Sequence, residues 1–316
     1  MTVNGPLRIV GFLAVLAVVF AGALAVGNAA GPVSEPVADD TADHASDHNA
    51  QDAAGGDAHA GHAPAADEEV PGGLMVSEAG YTLRLAEDAA TAGRNVPVTF
   101  TIEGPDGRPV TAYDVDHGKQ LHLIAVRRDF AGFQHVHPTL GADGTWSTGL
   151  DLAPGTWRLF ADFNPTGGVG MTLGSDLSVP GSYRPERPPG EVRTARVDGY
   201  TVTLAGDLAP GSDSTLTLSV SHDGRPVTDL QPYLGAYGHL VALREGDLAY
   251  LHVHPEGAPG DGTTEPGPDV EFVAAVPSDG RYRLFLDFRH EGAVHTAEFA
   301  LATSSGQRGG GGHAHH

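Results

Sequence analysis

From residue 74 onward, short runs of alternating apolar and polar residues follow one another, separated by Gly, Pro and Asp. Alternation at period two is typical of strands with one buried face, and many short strands between turn signals favour an all-β sandwich. In the first half the pattern predicts seven strands, the count of an immunoglobulin-like domain. They lie near residues 81–85, 96–103, 120–127, 133–137, 145–152, 156–163 and 170–179.

The second half repeats this plan, and the turn sequence DGRPVT occurs at residues 106–111 and again at 223–228. We therefore predict two tandem immunoglobulin-like β-sandwiches, residues 74–180 and 191–303, joined by a Pro-rich linker at 181–190 that favours an extended conformation. The second set of strands is expected near residues 200–204, 214–220, 239–244, 249–254, 270–276, 281–288 and 294–301.

The two ends of the chain have a different character. Residues 9–26 carry no charge, so residues 1–30 are expected to be a cleaved signal peptide or an uncleaved membrane anchor, and the rest of the chain lies outside the cytoplasm in either case. Residues 31–73 are rich in Asp, His and Ala and predict a disordered tether, while residues 304–316 form a Gly/His-rich tail. Both segments could collect cations weakly, or be plain solvated segments.

The amino-acid composition limits the kinds of ligand that the chain is expected to bind. The chain has 40 acidic and 18 basic residues, a formal charge of −22, which disfavours nucleic acid and favours small cations. It contains no Cys, which excludes thiolate sites and disulfides, and only three Met. A bound metal is therefore expected to accept imidazole and carboxylate ligands, as copper(II), zinc and nickel do.

The candidate chemistry lies in a repeated histidine motif. Residues 121–138 and 238–255 share one His followed by a His-Val-His-Pro sequence, with each His 117 positions from its counterpart. The predicted metal ligands are His122, His135 and His137 in the first sandwich and His239, His252 and His254 in the second.

A hairpin register explains how each triplet could converge. If Gly246-Asp247 is a two-residue turn, His239 faces His254 and His252 lies diagonally, so all three imidazoles leave one face of the sheet. The same geometry, with Asp129-Phe130 as the loop, places His122 opposite His137 with His135 diagonal. This loop has no residue suited to positive φ, so a bulge at Gly132 is an alternative.

Three imidazoles need a further ligand to complete a tetrahedral zinc or tetragonal copper site. The hairpin strands are apolar on both faces, so buried structural histidines are an alternative interpretation, and Asp162 and Asp287 could instead be strand-end turn formers. The candidates for the further ligand are Asp287, His290 and His295 in the second sandwich, and Asp162, Met171, His117 and Asp116 in the first.

The Pro-Gly-aromatic-Arg-Leu strand at residues 154–159, the export segment, the His-rich tether and the repeated His-x-His-Pro motif together carry a resemblance. The chain resembles secreted or membrane-anchored immunoglobulin-like proteins of actinobacteria, and is similar in plan to YtkA-like and copper-resistance-type envelope domains. The resemblance implies copper handling in the envelope by the six histidines, with an envelope metal transporter or a cuproprotein as partner.

The sequence is compatible with three classes of function. The leading hypothesis is a non-catalytic, extracytoplasmic protein that captures, buffers or delivers copper(II) or zinc. The alternative is an envelope scaffold or adhesion module whose histidines are structural. An enzyme is not expected, because the sequence shows no general base at a suitable spacing, no nucleophile elbow and no phosphate-binding loop.

Overall fold

A computed structural model describes residues 70–187, 189–251 and 253–304. The predicted signal or anchor, the tether up to residue 69, the tail from residue 305 and His252 lie outside the described residues. Within the described ranges, no helix is long and apolar enough to cross a membrane. The fold that is described is all-β.

The first sandwich is built from nine described strands, and the bounds of two of them match the predicted ones, residues 81–85 and 145–152. The strands are β1 (Ser77–Glu78), β2 (Tyr81–Leu85), β3 (Gly93–Glu103), β4 (Leu121–Arg127), β5 (Gln134–Val136), β6 (Thr139–Leu140), β7 (Thr145–Leu152), β8 (Gly155–Phe163) and β9 (Met171–Val179).

The second sandwich repeats this series, with short additional strands that the alternation did not predict. Its strands are β10 (Thr194–Val197), β11 (Tyr200–Ala205), β12 (Ser212–His222), β13 (Arg225–Pro226), β14 (Gly238–Arg244), β15 (Tyr250–Leu251), β16 (Val253–Pro255), β17 (Asp269–Val276), β18 (Arg281–His290) and β19 (Ala293–Ala302).

Each sandwich packs two antiparallel sheets in the immunoglobulin-like order. In the first, β1-β2-β3-β7-β6 faces β5-β4-β8-β9. In the second, β10-β11-β12-β17-β16, with β13 on β12, faces β15-β14-β18-β19. The exchange of strands between sheets at corresponding points gives both halves the two-sheet arrangement of immunoglobulin-like domains.

The strand β4 is buried on both faces, which explains its nearly continuous apolar sequence. Leu121, Leu123 and Ala125 belong to the core of the first sandwich, whereas Ile124 and Val126 belong to a separate apolar cluster. Because side chains alternate along a strand, the even-numbered face that carries His122 points away from the first core. The side chains of strand β14 are divided in the same way, between the core of the second sandwich and the separate cluster.

The separate cluster lies between the two sandwiches, and we call it the interdomain cluster. It joins the outer faces of the two four-stranded sheets, where Phe133 stacks on Phe285 with ring centroids 4.0 Å apart. The histidine-bearing face of each sheet therefore meets the other sandwich rather than solvent. The members of the cluster are Ile124, Val126, Phe130, Phe160, Val241, Leu243, Leu248 and Phe285, with Phe133 and Tyr250 packed against it.

The segment before β1 joins both sandwiches. The amide of Tyr250 donates to the Gly72 carbonyl (3.0 Å), and the amide of Gly73 donates to the Thr172 carbonyl (2.7 Å). Gly73 has φ +73°, and a Cβ there would lie 2.3 Å from Cδ1 of Phe160. Only glycine fits this crossing without displacement of the interdomain cluster.

The hairpin β14–β15 has the predicted register where it is formed, with Ala242 opposite Leu251 and Leu243 opposite Tyr250. The turn is wider than the two residues predicted, because the Arg244 amide bonds to the Ala249 carbonyl and the Leu248 amide bonds back to Arg244. Leu248 adopts φ +64° to close it.

The pairing of His239 with His254 was predicted wrongly. After β15 the chain crosses to the opposite sheet, where β16 pairs with β17 and His254 lies opposite Val273. Val253 packs against the core of the second sandwich, so the alternating position of His254 is turned outward and the side chain is exposed.

The hairpin β4–β5 keeps its predicted register, with Leu123 opposite Val136 and Ile124 opposite His135. Toward the turn, the Arg127 amide donates to the Ala131 carbonyl. The register of the rest of the hairpin would instead pair Arg127 with Gly132, one residue further along. The shift falls beside Gly132, which has φ +69°. The bulge considered as an alternative is therefore present, and it leaves the histidine end of the hairpin in register.

Candidate metal centre

Three histidines of the first sandwich converge at the interdomain face. One ring nitrogen from each of His122, His135 and His137 lies within 4.8 Å of the other two. His122 and His135 are closest, with Nδ1 of His122 3.0 Å from Nε2 of His135. The ring centroid of His137 is 5.0 Å from that of His122 and 5.1 Å from that of His135. Nitrogens at these separations can bind one cation.

The strand geometry accounts for this convergence. His122 lies near the start of β4, whereas His135 lies within β5 and His137 directly follows it. His135 and His137 are two positions apart and share a face, and the antiparallel register brings them beside His122.

The outer nitrogens of the two closest rings are held by hydrogen-bond acceptors. Nδ1 of His135 is 2.8 Å from Oδ2 of Asp287, and Nε2 of His122 is 3.2 Å from the Asp116 carbonyl oxygen. A carboxylate or carbonyl oxygen only accepts, so each outer nitrogen carries the proton when its ring is neutral. The inner nitrogens, 3.0 Å apart, then present lone pairs to each other. Such a pair needs a metal ion or an additional proton between them.

His137 adds a third nitrogen without a partner. Its Nε2 is buried and has no hydrogen bond among the described residues. A buried polar atom without a partner costs free energy, so this nitrogen is available for a ligand.

Burial keeps two members of the triad neutral. Burial, together with a smaller contribution from neighbouring His135, lowers the pKa of His122 to about 4 and that of His137 to about 3. At neutral pH both rings therefore offer unprotonated nitrogens, which is the form that binds metals.

The second sandwich completes the wall of this site. His239 lies opposite Asp287 on the paired strands β14 and β18, and its ring centroid is 6.3 Å from those of both His122 and His135. Its Nε2 is 3.0 Å from the Leu234 carbonyl, and burial lowers its pKa to about 4. Among the described histidines of the second predicted site, His239 therefore lies beside the triad of the first.

Each sandwich also places an Asp opposite its first histidine. Asp162 faces His122 across β4 and β8, as Asp287 faces His239. Burial raises the pKa of Asp162 to about 6, although a hydrogen bond from Thr172 (3.2 Å) opposes the rise. These carboxyls lie within strands, so their interpretation as strand-end turn formers is not supported.

The other predicted ligands lie at different places. Met171 lies at the start of β9, opposite Phe163, and lines the interdomain cavity. His295 lies opposite Phe288 and its Nδ1 contacts Asp198 (2.9 Å), so it is on the face of β19 turned away from Asp287. The structure therefore contradicts its assignment as a fourth ligand.

His290 is also remote from the centre, because its Nδ1 accepts from the Tyr200 hydroxyl (2.7 Å) and its Nε2 contacts Asp229 (3.1 Å). His254 lines the same cavity as His122 and His135. His117, in contrast, lies at the centre, with its ring centroid 5.1 Å from that of His239.

A cavity of about 1040 Å³ gives access to the cluster. Both sandwiches contribute to its wall, and the polar residues that line it include His117, His122, His135, Asp162 and His239. A cavity with a few convergent polar groups is the usual form of a ligand site.

Sequence reasoning missed three residues that support the site. The ring of Tyr233 lies 6.4 Å from that of His137 and 6.0 Å from that of His239. Thr172 and Thr296 donate to Asp162 and Asp287, respectively. The two threonines occupy corresponding positions opposite the two Asp-Phe pairs, and this shared placement was the available signal.

A family model described as a domain of unknown function, DUF8832, matches residues 76–179 and again residues 195–305. The chain belongs to this family. Its two copies correspond to the two sandwiches. No curated protein matches the chain.

Solved structures of bacterial surface proteins show a distant likeness. The Escherichia coli adhesin FdeC is 16% identical, with a TM-score of 0.25 over 72% of this chain and 65% of that chain. The Yersinia pseudotuberculosis adhesin InvE is 13% identical, with a TM-score of 0.20 over 70% and 58%. Domains 4 and 5 of the S-layer protein SbsC are 12% identical, with a TM-score of 0.20 over 73% and 100%. The chain thus spans less than two thirds of either adhesin chain.

Proposed function

We propose that this DUF8832 protein is a non-catalytic, extracytoplasmic module that binds copper(II) or zinc in a single centre between its two sandwiches. The main support for this proposal is the pair of inner nitrogens, Nδ1 of His122 and Nε2 of His135, which lie 3.0 Å apart. The outer nitrogen of each ring contacts a hydrogen-bond acceptor. The buried Nε2 of His137 supplies a third nitrogen.

The donor set decides the kind of ion. Three imidazoles with a nearby carboxyl suit zinc in tetrahedral geometry or copper(II) in tetragonal geometry. We propose Asp162 as the fourth ligand, because it lies opposite His122 and its carboxyl, with a pKa of about 6, is mostly ionised at neutral pH. Delivery to an envelope transporter or cuproprotein remains part of the proposal, and the uncharged segment at residues 9–26 supports the location outside the cytoplasm.

The test is metal affinity of the full chain, measured by competition with a chelator of known affinity. The triple variant His122→Ala, His135→Ala and His137→Ala should lose one tightly bound ion. The matched control removes three histidines of the acidic tether, His44, His48 and His59, and should retain that ion. Equal affinities in the parent and the triple variant would refute the proposal.

The second candidate is an envelope scaffold or adhesion module in which the histidines are structural. The contact between His135 and Asp287 favours it, because both side chains are almost fully buried, with 4% and 3% exposed. A protonated His135 would donate to both Asp287 and His122, which satisfies the same pair of nitrogens. In that case chelators leave the melting temperature of the parent unchanged.

A further inference from the structure

We infer that the second sandwich controls the metal affinity of the first, with Asp287 as a positioning residue for His135. This inference rests on the proposed function and concerns its regulation. It makes the ion an interdomain clamp, because the ligands come from one sandwich and their alignment from the other.

The strand that carries His135 is a short edge strand, which its own sandwich holds through β4 and through hydrogen bonds between the Gln134 side chain and the Asp151 backbone. β5 has three residues, lies at the edge of its sheet and pairs with β4 alone. His135 lies within it and His137 directly follows it. A short edge strand has backbone ladder hydrogen bonds on one side only, so the exact position of its outward side chains also depends on what packs against them.

What packs there is β18 of the second sandwich, at two matched points. Phe133 stacks on Phe285 with planes 4° apart, and His135 contacts Asp287 at 2.8 Å. Phe133 and His135 are two positions apart, as are Phe285 and Asp287. The side chains of each pair therefore leave the same face of their own segment, and the two faces contact each other. β18 therefore fixes both the position of β5 and the rotation of the His135 ring.

Asp287 is itself held firmly. Its Oδ1 accepts a hydrogen bond from Thr296 Oγ1 at 2.6 Å, which leaves Oδ2 for His135. A carboxylate that accepts from one ring nitrogen of a histidine fixes its tautomer and directs the other nitrogen to the metal. Removal of such a partner typically weakens metal binding by ~10 to 100-fold.

The coupling is reciprocal. If docking of the second sandwich strengthens metal binding by some factor, metal binding strengthens docking by the same factor. Loading of the centre would then stiffen the pair of sandwiches, and removal of the ion would loosen their interface.

The experiment uses the full chain and compares Asp287→Ala with Asp198→Ala. Asp198 is the matched control, because it makes a similar contact with His295 (2.9 Å) in the same sandwich, away from the centre. Zinc affinity is measured by chelator competition, and the visible spectrum of cobalt(II) reports ligand geometry. The triple-histidine variant gives the background from the tether and tail.

We expect Asp287→Ala to bind zinc ~10 to 100-fold more weakly, with an altered cobalt(II) spectrum, while Asp198→Ala stays within about twofold of the parent. The zinc affinity of Asp287→Asn should fall between those of these two variants, because its amide oxygen still accepts a hydrogen bond from His135. This variant replaces Asp287→Ala in the comparison if the Ala variant folds poorly. Parent-like zinc affinity in Asp287→Ala, with the triple variant still defective, would overturn this inference alone. A parent that binds no tight ion would overturn the proposed function and this inference with it.

Discussion

Phe133 and Phe285 stack face to face between the two sandwiches, with ring centroids 4.0 Å apart and planes 4° apart. Phe285 is completely buried, whereas Phe133 is partly buried. The pair lies at one end of the interdomain cluster, next to the candidate metal centre. It therefore links the apolar contact between the sandwiches to the position of the ligands.

Replacement of Phe285 by Ala should lower the free energy of unfolding by ~3 to 5 kcal/mol, because it removes a buried ring and leaves a cavity. Denaturant unfolding of metal-free protein measures this loss. A double-mutant cycle with Phe133→Ala should give a coupling of ~0.5 to 1.5 kcal/mol for the stack itself. Val294→Ala, at an exposed position, is the control and should have little effect. Strict additivity of the two Phe variants would contradict the stacked geometry.

Gly73→Ala should destabilise the protein strongly. The new methyl group would lie 2.3 Å from Phe160 and the residue would keep φ +73°, so both a steric clash and backbone strain arise. Gly107→Ala is a close control, because Gly107 has the same φ of +73° but no atom within 4 Å of the added methyl. We expect Gly107→Ala to lose only ~1 to 2 kcal/mol of stability, from backbone strain. Gly73→Ala should melt at a clearly lower temperature than this control. Equal melting temperatures would show that residue 73 does not cross the interface.

Metal-free protein should lose stability as the pH falls from about 6.5 to about 4. Burial lowers the pKa of His122 and His239 to about 4 and that of His137 to about 3, whereas the unfolded chain takes up these protons near 6.5. Because the unfolded state then binds more protons, the free energy of unfolding decreases toward acid, by up to ~1.4 kcal/mol per pH unit for each histidine.

Denaturant unfolding between pH 7 and pH 5, with a chelator present, measures that slope. Asp162, whose pKa burial raises to about 6, opposes the slope by up to one proton, so the three histidines still dominate it. His239→Asn should reduce the slope by up to one proton, because it removes one of the three depressed groups. A flat dependence over this range would mean that these histidines are not buried in their neutral form.

Sequence reasoning predicted the class of fold because alternation reports directly which residues face a core. Both immunoglobulin-like sandwiches and the register of β4 with β5 follow from it. It left open whether the face of His122 met a cation or a core, because both faces of the strand are apolar. The structure shows a third possibility, contact with the other sandwich, and that contact depends on how the two domains dock.

The duplication also misled the prediction for the second hairpin. The motif repeats without insertion, yet Val253 pairs with Ala274 of β17 in the other sheet, whereas its counterpart Val136 pairs with Leu123 of β4. Local alternation is the same in both cases, so the choice of sheet is decided by tertiary packing. Asp287 was predicted for a site in its own sandwich, and it instead contacts His135 of the other.

The difference between the two hairpins gives a final prediction. His137 and His254 occupy corresponding positions of the repeat, but Nε2 of His137 is buried beside His122 and His135, whereas His254 is exposed and lies opposite Val273. His137→Ala should therefore weaken zinc binding at least ~10-fold, because it removes one of three ligand nitrogens. His254→Ala should leave the affinity within about twofold. Chelator competition on the full chain compares the two variants directly, and equal losses would mean that the second hairpin contributes a ligand as the first does.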